Sequence, residues 1–557
     1  MTGTKRLKAK GLCIGLLMTL LIPGVLFTIP LEEAPFWQSA IVDEDSRDIA
    51  LGDMDRDGDL DLAVVSEVSK TAYIYRNDGG TLDTLPSWSP HEVARHLGVA
   101  WGDIDNDGYP ELAISCYSGL KGLKDILKGK IGQEYPGTQV GGWLYLYKNN
   151  NGILDTIAFW KSQDFDGFPA WIGFGDVHGD GYLDLAVATF FGISRIFYNQ
   201  NGVLDTLPGW SNTDCIYMNV GSWGDVDDDG DLDLALGPDH ASYLYYNNNG
   251  NLEQTASWKG LHDWITGGMA WADISGNNYL DLACGNGEIV KEPNIVFSNI
   301  DGNLDTSYSW KSADASATWR IAFADVDNDG DMDLAMANGC YNIIEKNVVY
   351  ANQDTILDTL PTWYSQDECL SFGIAWGDID MDGLQSGVDS IDGDGTRKLF
   401  YLKHWPYHSI QEIIVNGNPV PLSDYCFDIS SGWVSLKNAP PSGTKNLVVK
   451  YKYSIDLDLL IGNEDASDVM YRNTTIGIAE RPNSKSVKDF SLQIYPNPFS
   501  KKTEIRWTSG TGHSALGESA ITNDQYPMTI SIYNVSGRLI KSFSLFTPHS
   551  SLISSVS

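Results

Sequence analysis

A twelve-residue acidic segment, GDMDRDGDLDLA at Gly52–Ala63, returns along this chain of 557 residues at intervals of about 50. Copies in register start at Gly102, Gly175, Gly224, Ala272 and Ala324, and a seventh opens as GDIDMDG at Gly377 before departing. Two further markers keep step. Trp37, Trp88, Trp160, Trp210, Trp258, Trp310 and Trp363 each precede one acidic loop, and segments such as YRNDGGTLD and YNQNGVLD follow the first six. A unit of this size cannot bury a core alone and must pack on its neighbours, which at this period indicates propeller blades.

Within each unit the apolar runs are short and bounded by Gly, Asn and Asp, so they read as strands. Four fit a blade. The last unit ends at Tyr471–Asn473 without the usual L-x-x-x-P-x-W segment, while an orphan copy, LEEAPFW, stands at Leu31–Trp37. The start of the chain is therefore expected to complete the last blade and leave no open sheet edge.

The expected fold is all-β: a seven-bladed β-propeller at 31–481, preceded by a signal peptide at 1–30. A small β-sandwich-like insert at about 399–454 splits the last blade, with alternating strands and NG and PPSG turns. A linker follows at 482–489. An immunoglobulin-like β module at 490–557 reads as incomplete. The second unit carries its own lysine-bearing insertion, and a ligand site is expected where the loops and both insertions share a face.

A net charge of -37 excludes nucleic acid and anionic membrane surfaces as partners and makes cations the natural counterpart. Lys5, Arg6, Lys8 and Lys10 precede the apolar stretch Gly11–Phe27, the pattern of an export signal. Cleaved, it leaves no transmembrane anchor and a secreted or cell-surface protein. The six cysteines beyond the signal form no CxxC pair, and spacing does not assign disulfides.

Numbered from its first Asp, the first loop offers Asp53, Asp55 and Asp57 at positions 1, 3 and 5, the carbonyl of Asp59 at 7 and Asp61 at 9, with Gly58 permitting the turn. Hard cations such as Ca2+ take six to eight oxygen ligands at flexible geometry, which alternate carboxylates on a tight turn supply. Asp225, Asp227, Asp229, Asp231 and Asp233 repeat the set, as do Asp325, Asp327, Asp329, Asp331 and Asp333. The second loop has Asp103, Asp105, Asp107, Tyr109 (carbonyl) and Glu111. The third has Asp176, His178, Asp180, Tyr182 (carbonyl) and Asp184, a weaker set because of the histidine. The fifth, at Asp273, carries Ser275 and Asn277 and is expected to bind little. The seventh has Asp378, Asp380 and Asp382, with Asp389 or Asp392 as candidates for its last ligand. About four to six Ca2+ sites are expected, each pinning a blade hairpin. Unneutralised, carboxylates so close repel by about 4 kcal/mol per pair at 4 Å and an effective dielectric near 20.

The Gly-Asp lead-ins (AWGD, GFGD, SWGD) and the D-x-D-x-D-G-x-x-D loops resemble the FG-GAP or VCBS repeat family, related to the integrin α-chain propeller. That resemblance implies a calcium-stabilised scaffold for adhesion or ligand binding. YPNPF and IYNVSGRLI resemble a C-terminal sorting domain of type IX secretion, which would make the secretion machinery a partner. No HExxH, G-x-S-x-G or phosphate-binding glycine loop is present. The expectation is a non-catalytic scaffold engaging an extracellular protein or glycan; the alternative is a polysaccharide-active hydrolase or lyase on the same scaffold. His91, His96, His404 and His408 are expected on surface loops, and the tryptophan ladder between blades.

Overall fold

The computed structural model describes residues 29–41, 45–118, 141–215, 217–287, 290–340 and 343–475, together with five strands further on. The signal segment up to residue 28, most of the second-unit insertion and the 482–489 linker lie outside these described residues. Each blade starts with an inner strand that delivers the chain to its acidic loop. A second, largely buried strand returns from it, and two shorter strands complete the sheet. In the third blade these are Phe168–Gly175, Asp184–Phe190, Arg195–Phe197 and Trp210–Ser211, hydrogen-bonded in that order. Every residue of Asp184–Phe190 is buried, because neighbouring blades cover both faces of the sheet. Trp258–Ala272 and Trp363–Gly377 each form the outer strand of one blade and run on as the inner strand of the next.

The inner strands touch in sequence from Ser46–Gly52 round to Trp363–Gly377, which meets Ser46–Gly52 again. Seven blades close the ring. The N-terminal strand Trp37–Gln38 supplies the outermost strand of the seventh blade, pairing Trp37 with Met470 and Gln38 with Val469, and Leu31 bridges Asn473.

The repeated tryptophans join blades. Trp37 stands edge-on to Tyr75 of the first blade and its indole N–H donates to the Leu82 carbonyl. Trp160 repeats this with Phe197 and Leu204, Trp258 with Phe297 and Leu304, and Trp363 with Tyr471 and Leu31. Buried aromatic pairs of this geometry add to the area they remove from water. The glycine of the Gly-Asp lead-in serves the inner ring: a Cβ on Gly102 would lie 2.6 Å from the Phe174 ring of the next blade.

Buried Arg320 of the sixth blade crosses the central channel. Its guanidinium donates to the carbonyls of Gly267 and Ala170, in the fifth and third blades, and lies 3.7 Å from Asp48 of the first. Above it the channel widens to a cavity of about 580 Å³, roofed by Trp405, Tyr407 and Tyr425 of the insert.

That insert is a two-sheet sandwich, but it starts at Leu384 rather than Leu399. Leu384–Gly393 pairs with Gly443–Ser454, which also pairs with Tyr407–Val415; the facing sheet holds Leu399–Tyr401, Trp433–Leu436 and Tyr425–Asp428. The first strand, LQSGVDSIDG, is largely solvent-facing and polar, so it reads as a loop in sequence. Tyr407, Val434, Leu447, Val449 and Tyr451 form the shared core.

Two sequence expectations fail here. His96 is buried on Arg95–Gly102 with its Nδ1 3.2 Å from the Cys116 sulfur, and burial lowers its pKa to about 4. His408 is likewise buried on Tyr407–Val415. Both occupy positions where the sheet, not the residue type, dictates burial. The two insertions also do not leave the propeller at the same end of their strands. The sandwich leaves from the acidic loop of its blade, whereas Ser118 and Gly141, which flank the second-unit insertion, pair at the opposite end of their strands. Beyond the propeller, Phe490–Tyr495, Thr503–Ser509 and Ser555–Val556 form one sheet, and Met528–Tyr533 with Leu539–Leu545 a hairpin.

Candidate metal centres

Each acidic loop is framed at both ends. The carboxylate at position 1 accepts the backbone N–H of position 6, as Asp53 does from Gly58 at 3.2 Å and Asp225 from Gly230 at 3.1 Å. The carboxylate at position 9 accepts the N–H of position 2, as Asp61 does from Met54, Glu111 from Ile104 and Asp333 from Val326. Position 4 takes a left-handed conformation even where it is not glycine, with φ of 60° at Arg56, 61° at Asp228 and 59° at Met381. This double reversal turns the side chains at positions 1, 3 and 5 toward one point.

Five loops gather their oxygens. Carboxylate atoms lie within 4.8 Å of one another in Asp53–Asp55–Asp57, Asp103–Asp105–Glu111, Asp225–Asp227–Asp229, Asp325–Asp327–Asp333 and Asp378–Asp380–Asp382. Asp59, Asp107, Asp231, Asp331 and the backbone at Tyr109 stay on the same turns; the Tyr109 N–H donates to Asp107. In the third loop His178 Nδ1 lies 3.2 Å from Asp184, while Asp180 accepts from the Tyr182 N–H and no three-carboxylate cluster forms among the described residues. The fifth loop holds Asp273 through the N–H groups of Asn277 and Asn278.

In the seventh loop neither Asp389 nor Asp392 closes the set. Asp389 accepts from the Lys403 N–H and the Tyr451 hydroxyl, and Asp392 from the Lys445 N–H. Asp458, on the far side of the insert, takes position 9 and accepts from Ile379 N–H at 3.1 Å. The separation of about 80 residues hid it: the strand motif DLDLL resumes only after the sandwich.

Burial raises these carboxylates. It lifts Asp53 to about 6, Asp61, Asp225 and Asp325 to about 7, Asp333 to about 8 and Asp233 to about 9, with neighbouring aspartates adding in the same direction. Oδ1 of Asp53, Asp225, Asp325 and Asp378 is buried without a hydrogen-bond partner. Buried acceptors of that kind, converging on one point, fit a hard cation.

Positive side chains already stand in most of these clusters. Arg76 meets Asp55, Lys148 reaches Asp105 and Glu111, and Arg472 lies 2.5 Å from Asp380. All three come from the residue before the Asn of the recurring Tyr-x-Asn segment. In the fourth loop the cation is Arg397 of the insert, 2.7 Å from Asp225. Among the described residues no lysine or arginine forms an ion pair with the Asp325 loop.

The asparagines of that segment are functional residues whose role the sequence alone does not explain. Asn299 N–H donates to Asp281, while its side-chain amide donates to Val226 O in the preceding blade at 2.7 Å and to Leu280 O at 3.1 Å. Asn77, Asn149, Asn199, Asn247, Asn352 and Asn473 reach back into the preceding blade in the same way. Their recurrence in register is the available signal.

The family model of the FG-GAP-like repeat matches residues 45–114 and 225–284. No curated protein matches the chain in sequence. Among solved structures, the chain is similar to BBS1N in complex with ARL6DN at 11% identity, covering 80% of this chain and 97% of that one with a TM-score of 0.43. It is similar at 16% identity to an Agrocybe aegerita lectin described as recognising non-reducing terminal N-acetylglucosamine, covering 57% and 79% with a TM-score of 0.36. Sqt1 of Saccharomyces cerevisiae is 8% identical over 80% and 99%, with a TM-score of 0.41. The matched segments take in the first blade and parts of the second, fourth and fifth blades of this seven-bladed propeller.

Proposed function

We propose that this chain is a secreted or cell-surface, calcium-stabilised propeller that acts as a non-catalytic scaffold for an extracellular protein or glycan. The observation that carries the reading is the convergence of buried, partnerless carboxylate oxygens in the acidic loops. Ca2+ suits them because it accepts irregular oxygen cages, and extracellular sites of this class bind at roughly 10⁻⁴ to 10⁻³ M. The C-terminal module would serve export.

Thermal melting of the full chain in CaCl2, MgCl2 and EDTA tests the reading, alongside calorimetric titration. A calcium-specific rise in Tm supports it, since an ion that binds only the folded state stabilises by mass action. Equal Tm values in calcium and EDTA refute it. For the ligand, the face opposite the loops offers partly exposed Phe191, Ile193 and Tyr217, with Phe191 and Tyr217 rings 5.5 Å apart and Phe191 at φ 60°. A bulky residue held there is strained, and such aromatic faces suit sugar rings. Phe191→Ser should abolish any glycan-array signal that the wild type gives; unchanged binding refutes this placement.

A further inference from the structure

The fourth acidic loop draws its positive charge from outside its own blade. Where the first, second and seventh blades place Arg76, Lys148 and Arg472, the fourth has Tyr246. The guanidinium that reaches this loop belongs to the insert. Arg397 Nη2 lies 2.7 Å from Asp225 Oδ2 and 2.5 Å from Asp228 Oδ1, and its Nε–H donates to Leu399 O at 2.9 Å, which fixes its plane. Asp225 is 5% exposed and its Oδ1 has no hydrogen-bond partner, so the pair leaves an acceptor aimed into the cluster. The neighbouring Tyr401 hydroxyl accepts the Asp225 N–H at 3.1 Å.

We propose that Arg397 fills the cation position of the Asp225 loop, so that a divalent ion and the docked edge of the insert compete for one seat. This inference rests on the calcium reading given above. A guanidinium and a doubly charged ion sharing one carboxylate would repel strongly at this separation, so ion entry expels Arg397. By linkage, insert docking weakens the ion by the same factor. Asp176, in the third loop, anchors the rest of the sandwich through Ser435 at 2.7 Å, so the competition concerns one edge and not the whole insert.

The test uses the full chain. Calcium titrations of wild type and Asp227→Asn identify the heat that belongs to the fourth loop, and the same titration is run on Arg397→Gln and Arg397→Lys. Because ion entry must break a charged hydrogen bond in wild type, Arg397→Gln should bind calcium about ten- to hundredfold more tightly at this loop, with Arg397→Lys close to wild type. Hydrogen exchange of the Leu399–Tyr401 amides in wild type reads the other side: protection should fall as calcium saturates. It needs no variant to fold. Calcium heat with the fourth-loop affinity unchanged in Arg397→Gln, or calcium-independent exchange in wild type, overturns the inference alone. No calcium heat in any protein overturns the calcium reading and the inference together.

Discussion

Replacing Asn299 by alanine tests whether the blades are latched through the recurring asparagine. Asn299 is fully buried and its amide satisfies two carbonyls, Val226 O at 2.7 Å and Leu280 O at 3.1 Å. Alanine removes both donors and admits no obvious substitute, since the side chain is enclosed. Each lost hydrogen bond costs about 0.5–1.5 kcal/mol net, and a buried acceptor left unsatisfied costs about 1–3 kcal/mol. The sum predicts a loss of about 2–6 kcal/mol. The fifth blade suits the experiment because its own loop forms no carboxylate cluster among the described residues. Urea unfolding in EDTA, followed by tryptophan fluorescence, gives the difference, and hydrogen exchange of Met218–Gly224 and Trp258–Ala272 locates it. Asn303→Ala, exposed in the same blade, is the control and should stay within about 0.5 kcal/mol. A loss below about 1 kcal/mol for Asn299→Ala would refute the latch.

Burial raises the Asp468 carboxyl to about 7, above its unfolded value, so its stabilising contribution is complete at low pH and disappears as pH rises through 7. Asp468→Asn should therefore gain about 2–3 kcal/mol on wild type between pH 5 and pH 8, read from urea midpoints; a constant difference refutes the assignment. Gly102→Ala should lose about 1–3 kcal/mol through its clash with Phe174, measured as a lower Tm. Among the loops, calcium affinity should be highest at Asp325, and Arg76→Met should tighten the Asp53 loop; terbium luminescence with Asp327→Asn and Asp55→Asn as site markers checks the ranking.

Much of this architecture is legible in the chain because it is written seven times. Period and tryptophan spacing give the blade number, and the orphan LEEAPFW predicts the pairing seen at Trp37 and Met470. What escapes is whatever departs from the period. Asp458 is invisible because the sandwich separates it from Asp378, and Arg397 because nothing in its own neighbourhood, DGDGTRKLF, indicates that it meets a loop 172 residues away. Buried His96 and His408 escape for another reason: histidine has no firm preference for core or surface, and each is buried together with its strand neighbour, Leu97 or Tyr407, so no alternation in the sequence marks it. The latch asparagines show the opposite limit, a visible pattern whose role needs the adjoining blade.

The pairing of Trp37–Gln38 with Val469–Tyr471 also orders events in time. The first strand of the domain has no partner until the last has been made and delivered, so the ring cannot close while the chain is still emerging from a ribosome or crossing a membrane. Contacts this distant in sequence fold slowly. Until that last strand is delivered the earlier blades can stand only as an open arc, so closure of the ring is the final and least local step of folding.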